Sequence, residues 1–531
     1  MEFLNGLRTY VKNIFPMFLQ SAESDPEQHQ QLAKMFLPFE VNVYVDNSDV
    51  KDVPIIAENI TKLSDFVGGT DYVISQGVAY TDHMKIHPGL LARANGGYLV
   101  MNADKFLVIP GLFEAFMNAL ESKKVFAEQS RGLFASSHLE PEPITLNVRV
   151  ILFGEITRLL HQFPGFSRLF STHAHIEPFV ERTPLQIAGY RSWILGLVEK
   201  EKLRKIAPNA VCNLIEHAGR LAHNQKYLST DFESLAHVLR EAGTIAEQLK
   251  APSIASKHIR RALQERFWRS SFSYEYLQGM VQRGEILIDA KGEYIGQNNA
   301  LAVHSISRGI AVGFPTRVTG TASVGKPGLT NVHVLAKMGG NLVQKADQTV
   351  EGFLKHKFAR EAPLALGVTL SFEQTYGMID GDSASLVSLF VALSSISQVS
   401  LKQVGITGSM NLHGKVQPIG GVNEKIEGYF DTCCALGCLD GSQGVIIPWQ
   451  NKENLMLRFD VVVAIRKGKF NVWPIKTIEE GIEILTGMEA GTPDESGVYP
   501  ENTFYKRVAD QVKKFRENAV KFYKESEPSQ P

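Results

Sequence analysis

Long apolar runs are missing from this chain of 531 residues. Its most hydrophobic stretch, Leu386 to Leu393, has the length of a buried helix segment and falls well short of the roughly 18 residues that a membrane-spanning helix requires. No membrane association is expected. Charge of one sign is missing as well. The 55 Lys and Arg residues balance 56 Asp and Glu to a formal net charge of −1, so no field over the whole molecule favours nucleic acid. Cysteine is scarce: Cys212, Cys433, Cys434 and Cys438 are the only four. None belongs to a Cys-x-x-Cys pair, and they read as buried small apolar side chains, not a metal cluster. Among the histidines, His83, His87, His173 and His175 come nearest to clustering, and a strand would put His173 and His175 on one face. With no carboxylate or cysteine string beside them, no metal and no other cofactor is expected. The start, Met1-Glu2-Phe3-Leu4-Asn5-Gly6, has no basic segment followed by an apolar core, so no secretory signal is expected and the reading is cytoplasmic. Internal repeats and long low-complexity segments are absent too.

What is present fits a folded globular protein. Hydrophobic residues at 44% and charged residues at 21% are ordinary for that class, and the length suffices for two or three domains with cores of their own. The most informative stretch is Gly381-Asp382-Ser383-Ala384-Ser385, followed 42 residues after Ser383 by Lys425 in Pro418-Ile419-Gly420-Gly421-Val422-Asn423-Glu424-Lys425-Ile426. Leu386, Leu389, Phe390 and Leu393 recur at three-and-four spacing, which predicts a helix from Ser383 to Ser397 with Asp382 as its cap. Ser383 then sits where unpaired backbone N–H groups and the positive end of the helix dipole face outward, a position suited to a nucleophile whose reaction develops an oxyanion. Asn423 reads as the cap of a second helix through Ile426, Tyr429, Phe430 and Cys433, stopped at Gly437. Lys425 falls in its first turn, where the dipole and burial both lower a lysine pKa and free the amine to act as a base. Taken alone, the two residues also fit a capping serine and a surface lysine that never meet.

The wider region resembles the proteolytic domain of the Lon protease family, B-type branch. The resemblance rests on Phe372-Glu373-Gln374-Thr375-Tyr376-Gly377, Gly381 to Ser385, Thr407-Gly408-Ser409, and Gly414-Lys415-Val416-Gln417-Pro418 through Gly428, in that order. It implies Ser383 as nucleophile, Lys425 as general base and Thr407 as the residue that orients the lysine. It also implies a homo-oligomeric, hexameric ring acting on unfolded polypeptides. Three departures stand out. The serine-to-lysine spacing is one residue shorter than the family pattern, with the deletion in the loop Ser397-Gln398-Val399-Ser400. Gln344-Lys345-Ala346-Asp347 stands after Gly339-Gly340 in place of a His-Ser-Lys-Gly type string. Asp380 and Asp382 flank the nucleophile, and a carboxylate paired with Lys425 would favour the inert ammonium form.

Relatives with this proteolytic domain carry a AAA+ motor, whose phosphate loop ends in Gly-Lys-Ser or Gly-Lys-Thr. No such string occurs. The only Lys-Thr pair, Lys476-Thr477, follows Trp473-Pro474-Ile475, and Lys257 has no glycine loop. The string Gly97-Tyr98-Leu99-Val100-Met101-Asn102-Ala103 is similar to the motor strand that ends in two carboxylates, with Asn102 and Ala103 in their places and Asp104 one position beyond. ATP hydrolysis by this chain alone is not expected.

The fold class expected is α/β and α+β multidomain. Residues 1–185 read as a truncated AAA+-like α/β domain of partial three-layer form, with strands at Phe39 to Val45, Gly97 to Met101 and Ile144 to Phe153 and a helix at Leu112 to Ser122. Residues 186–280 read as a helical lid, including Ala207 to His223 and Phe232 to Leu249. Residues 281–490 read as the Lon-type proteolytic domain, opening with a strand at Glu285 to Asp289 and closing on a capped helix from Thr477 to Leu485 stopped at Gly487. Residues 491–531 read as a linker and a basic amphipathic helix. Its stripe of Phe504, Val508, Val512, Phe515, Ala519 and Phe522 packs on the body or a neighbouring subunit, a membrane or acidic partner being the alternative. The resulting expectation is an ATP-independent serine endopeptidase. Its rivals are a ring-forming holdase without turnover and a protease served by a separate ATPase subunit.

Overall fold

The computed structural model of the chain describes residues 2–20, 36–75, 78–126, 139, 141–157, 163–307, 310–360 and 362–526. It divides into two units, Met1–His175 and Ile176–Pro531. In the first, strands β1 (Ile55–Ile56), β2 (Tyr98–Asn102) and β3 (Arg149–Phe153) form a parallel sheet in the order β1-β2-β3. Helix α1 (Leu112–Ser122) buries Leu112, Phe116 and Ala119, one face at helical spacing, in the same core as Leu99 and Met101 of β2. On the opposite face Ile151 and Phe153 of the edge strand are exposed, and Tyr98 and Val100 are half-buried. Residues 40–45 are irregular after a 3₁₀ turn at Leu37–Phe39, where a strand was expected. The expected strand Ile144 to Phe153 is interrupted, leaving Ile144–Thr145 paired with Lys124–Val125 and Arg149–Phe153 in the main sheet. His173 and His175 are exposed in an irregular segment and share no strand face.

In the second unit a short strand, Phe179–Glu181, pairs with Tyr227–Ser229 among five helices: α2 (Pro184–Lys200), α3 (Pro208–Leu221), α4 (Phe232–Gln248), α5 (Ser256–Ser270) and α6 (Phe272–Gln282). The first four bury Tyr190, Ile194, Leu214, Leu239 and Ile259 in one core. Residues 285–289 are irregular, where a strand was expected. A seven-stranded sheet follows, built from β4 (Gln297–Ser307), β5 (Ile310–Val324), β6 (Gly328–Asn331), β7 (Leu366–Phe372), β8 (Gly405–Ile406), β9 (Gly444–Pro448) and β10 (Asn471–Ile475). Their order is β6-β7-β5-β4-β8-β9-β10, with β4, β8, β9 and β10 parallel.

Alternation along these strands feeds two cores. Ala300 and Ile446 enter the core on one side, while Leu301, Val445 and Ile447 enter the core on the other. A sheet buried on both faces needs apolar residues at successive positions, as Gly444-Val445-Ile446-Ile447 supplies. The first core receives α7 (Asn341–Phe358), α8 (Ser385–Ser397), α10 (Ile478–Thr486) and the start of α11 (Phe504–Ser526). The second receives α9 (Val422–Ala435) through Val422, Ile426, Tyr429, Phe430 and Cys433. The first half of the α11 stripe packs on the body, where Phe504, Val508 and Val512 are buried beside Tyr505, each side chain of this size worth about 1.5–3 kcal/mol, while Phe522 at its far end is exposed.

Candidate active site

Helices α8 and α9 lie against opposite faces of the sheet, and their first turns converge just past the carboxyl end of β8, where Thr407 follows Ile406. The sequence builds each approach locally. All of α8 is buried, including its serines, which is why its apolar residues spread beyond the single face read from spacing. The hydroxyls are absorbed by backbone carbonyls: Ser394 Oγ donates to Val399 O and Ser395 Oγ donates to Gly320 O. Ahead of it, Asp382–Ala384 form one 3₁₀ turn that carries Ser383, so the serine precedes the α-helix by two residues. Gly408 N donates to Ser383 O at 2.9 Å and Leu386 N donates to Gly408 O at 3.3 Å, tying this turn to the Thr407 segment. Gly408 sits at φ +158°, and a Cβ there would lie 2.2 Å from Leu386 Cδ1, so only glycine allows the approach.

Helix α9 is brought onto the sheet by a second close approach. A Cβ on Gly428 would lie 2.0 Å from Gly313 O of β5, and one on Gly313 would lie 2.0 Å from Glu424 O. The helix starts after Gly421, not at Asn423; the Asn423 side chain instead accepts from Met456 N and donates to Asn454 O. Its stop agrees with expectation: Gly437 N donates to Cys434 O and Cys438 N to Cys433 O.

Lys425 Nζ stands 2.9 Å from Ser383 Oγ and 3.0 Å from Thr407 Oγ1. Thr407 is wholly buried and Lys425 is 5% exposed. Burial lowers the Lys425 pKa from 10.5 to about 8, against the opposing influence of the Asp382 carboxylate. Neither flanking aspartate pairs with the lysine within 4.0 Å. Asp380 Oδ1 accepts from Leu342 N and caps α7, while Asp382 Oδ2 accepts from Ser409 Oγ at 3.0 Å and does not cap α8. Ser383 and Lys425 line a cleft of about 530 Å³ with Gly381, Asp382, Pro418, Ile419, Gly420, Asn451 and Asn454. The arrangement is chemically that of a hydroxyl facing an amine whose neutral form is far more accessible near physiological pH than that of an exposed lysine, with a threonine in hydrogen-bond contact with the amine.

Asn451 and Asn454 lie outside the motif string and were not anticipated. They lie three apart in the 3₁₀ segment Trp449–Asn454, a spacing that puts them on one face. Asn451 clamps Ile419, accepting from its N at 2.9 Å and donating to its O at 2.8 Å. The departure at 344–347 also resolves into structure. It lies on α7, where buried Asp347 accepts from Asn331 Nδ2 and burial pushes its carboxyl up to about 6. Beside it, His333 Nε2 lies 2.9 Å from Thr375 O and pins the loop that leads to Ser383.

None of the other sequence candidates is among the residues that line the cleft. Cys433 and Cys438 are buried, but Cys212 and Cys434 are exposed, against the expectation of four buried cysteines. Among the described residues no group of three or more His, Cys, Asp or Glu residues is placed to hold a metal ion. At the end of β2, Asn102 Oδ1 accepts from Asp104 N and Ala103 is buried in the core. An amide and a methyl group at these positions do not fit a magnesium-bound nucleotide, which needs a carboxylate there.

Three family models match the chain: the LonB-like AAA domain over residues 51–177, the archaeal LonB AAA+ ATPase LID domain over 205–269, and the Lon protease (S16) C-terminal proteolytic domain over 377–486. A protein of Escherichia coli (strain K12) named "Putative Lon protease homolog" is 31% identical over 420 residues, covering 77% of this chain and 70% of that protein. One of the same name from Haemophilus influenzae is 27% identical over 533 residues, 94% of this chain and 86% of that protein. The archaeal Lon protease of Pyrococcus abyssi is 23% identical over 418 residues, 77% of this chain and 40% of that protein.

Proposed function

Because the chain belongs to the Lon protease family and carries its S16 proteolytic domain, we propose that it is an ATP-independent serine endopeptidase that degrades unfolded polypeptides with a Ser383–Lys425 dyad. The observation that carries this reading is the 2.9 Å separation of Lys425 Nζ and Ser383 Oγ inside a cleft. Ser383 Oγ attacks the peptide carbonyl as the neutral amine takes its proton. Backbone N–H groups of the Ser383 turn hold the oxyanion. The ammonium then protonates the leaving amine, and water repeats the cycle on the acyl-enzyme. Thr407 accepts one amine N–H and thereby turns the nitrogen lone pair toward Ser383.

ATP independence rests on the missing phosphate loop and on Asn102 and Ala103 at the end of β2. Without a motor, a substrate must arrive already unfolded. The proposal includes a cytoplasmic, homohexameric ring with its sites facing a chamber. It assigns residues 1–185 to the degenerate AAA+-like domain, 186–280 to the lid, 281–490 to the protease, and 491–531 to the linker and terminal helix.

The test is proteolysis by purified protein of a casein-like unfolded chain and of a stable folded protein, with and without ATP, beside Ser383→Ala and Lys425→Ala. Cleavage of the unfolded chain alone, equal in both nucleotide conditions and lost in both variants, is expected. Dependence on ATP and a second subunit would overturn ATP independence. Binding of unfolded chains without turnover or labelling by a serine-directed phosphonate would replace the peptidase reading with that of a holdase.

A further inference from the structure

Helix α9 has two working faces. One presents Lys425 to the cleft. The other carries Glu424, Glu427 and Asp431, an acidic row at spacings of three and four. The helical lid grips this row. Arg220 on α3 holds Glu427 through both nitrogens, Nη1 to Oε1 at 2.6 Å and Nη2 to Oε2 at 2.8 Å, and also donates to Met456 O. Tyr274 on α6 donates its hydroxyl to Asp431 at 2.9 Å. Glu427 is buried, so its charge depends on this partner, with Arg458 N donating to the same oxygen that Arg220 Nη1 reaches.

A second grip reaches the other side of the lysine. Asn454 Nδ2 donates to His223 O of the lid, and Asn454 O accepts from Asn423 Nδ2. Gln225 Nε2, also from the lid, donates to Leu455 O in the same segment, whose next residue, Met456, donates its N–H to Asn423 Oδ1. Asn423 and Glu427 stand two residues before and two after Lys425, and both are fixed through lid contacts.

We propose that the lid positions the general base: Arg220, through Glu427, and His223, through Asn454 and Asn423, hold the first turns of α9 so that Lys425 meets Ser383 and Thr407. This rests on the dyad reading above, and it gives the lid a task that needs no nucleotide. Arg220 is a positioning residue; it touches neither the nucleophile nor the cleft-lining side chains. When it is lost, α9 relaxes, water reaches Lys425, and the amine holds its proton more tightly. Asp382 across the cleft acts directly on the Lys425 amine; Glu424, Glu427, Arg458 and, through His217, Arg266 surround Arg220, and Asp431 and Asp460 surround Arg458 at the far end of the row.

The test uses the full chain with Arg220→Met, which removes the charge, and Arg220→Lys, which keeps the charge without the fork. Turnover of a short peptide is measured per serine titrated with a phosphonate. Separately, the pH dependence of Lys425 acetylation by acetic anhydride is read by mass spectrometry. Arg220→Met is expected to lower kcat near neutral pH by about 10- to 100-fold, the size of effect that a small misplacement of a catalytic group produces. KM stays unchanged, the labelling midpoint of Lys425 moves up, and the loss in kcat shrinks as pH rises. Arg220→Lys falls between. A folded Arg220→Met protein with wild-type kcat and a wild-type labelling midpoint overturns the proposal. If Arg220→Met does not fold, Glu427→Gln, which keeps an oxygen for Arg458 N, takes its place under the same expectations. If the wild-type chain cleaves nothing, labelling decides alone: a midpoint that moves with Arg220 supports the clamp while the peptidase reading falls, and one that does not move ends both.

Discussion

Lys425 Nζ lies 2.9 Å from Ser383 Oγ although the two residues come from helices packed on opposite faces of one sheet. The meeting point is the carboxyl end of β8, where both helices start and where Thr407 completes the group. Parallel strands place ligand and reaction sites at their carboxyl ends because the helix starts that follow bring free N–H groups there.

The first consequence concerns pH. Burial holds the Lys425 pKa at about 8, so the ammonium dominates below that value and the neutral base above it. The rate of peptide cleavage is therefore expected to climb with pH, about tenfold per unit below the midpoint, and to level off above about 8.5. Turnover of a short fluorogenic peptide between about pH 6 and 10 reads this directly. A rate that does not rise with pH over this range would exclude a neutral Lys425 amine as the base.

The Asp382 carboxylate opposes the effect of burial on Lys425. Asp382→Asn keeps an oxygen to accept the hydrogen bond from Ser409 Oγ and removes the charge. The rate near pH 7 is expected to rise about threefold, the effect of half a pH unit, and to be unchanged near pH 9.5. Such a gain, from a substitution adjacent to Ser383, would show that the aspartate restrains the resting site. A fall at both pH values would instead give it a direct role in binding or chemistry.

Thr407 accepts from Lys425 and is wholly buried. Thr407→Val keeps the shape and leaves the amine free to rotate away from Ser383. Loss of one hydrogen bond worth about 1 kcal/mol is expected to lower kcat five- to tenfold with KM unchanged, and Thr407→Ser to recover most of it. Equal rates for the valine and serine variants would remove Thr407 from the machinery.

Legibility in the sequence followed the range of the forces involved. The stop of α9 at Gly437 and the cap of α10 by Thr477, which accepts from Glu480 N, are local backbone matters, and residue type sufficed to read them. The starts of α8 and α9 were misread because Asp382 and Asn423 are good caps in isolation but are engaged by Ser409, Asn454 and Met456. The proximity of Ser383 and Lys425 could not come from spacing. It depends on Gly408 fitting under Leu386 and on Gly313 meeting Gly428, contacts between segments far apart in the chain. Asn451 and Asn454 gave no signal beyond their separation of three, since what brings them to the cleft is their bonding to Ile419 and to the lid. The irregular course of residues 285–289 likewise reflects tertiary fit: Leu287 N donates to Gln374 Oε1, and Ile288 packs with Phe314, without a strand partner.

A buried lysine with a lowered pKa weakens the fold that holds it. In the unfolded chain the amine titrates near 10.5, in the folded chain at about 8. Below about pH 8 the folded state carries the whole cost of a buried ammonium. Between the two values the unfolded state binds more protons, so stability rises with pH, and above about 10.5 the cost is gone. The interval corresponds to about 3 kcal/mol at most. Lys425→Met fills the same space without a charge, and it is expected to abolish cleavage while raising the melting temperature by a few degrees at about pH 7. The gain is expected to shrink as pH is raised from about 8 toward 10.5, as thermal unfolding followed by circular dichroism at several pH values can measure. A methionine variant that melts below the wild type at every pH would mean that Lys425 contributes more through its bonds to Ser383 and Thr407 than its burial costs, and that the site is not held at the expense of stability.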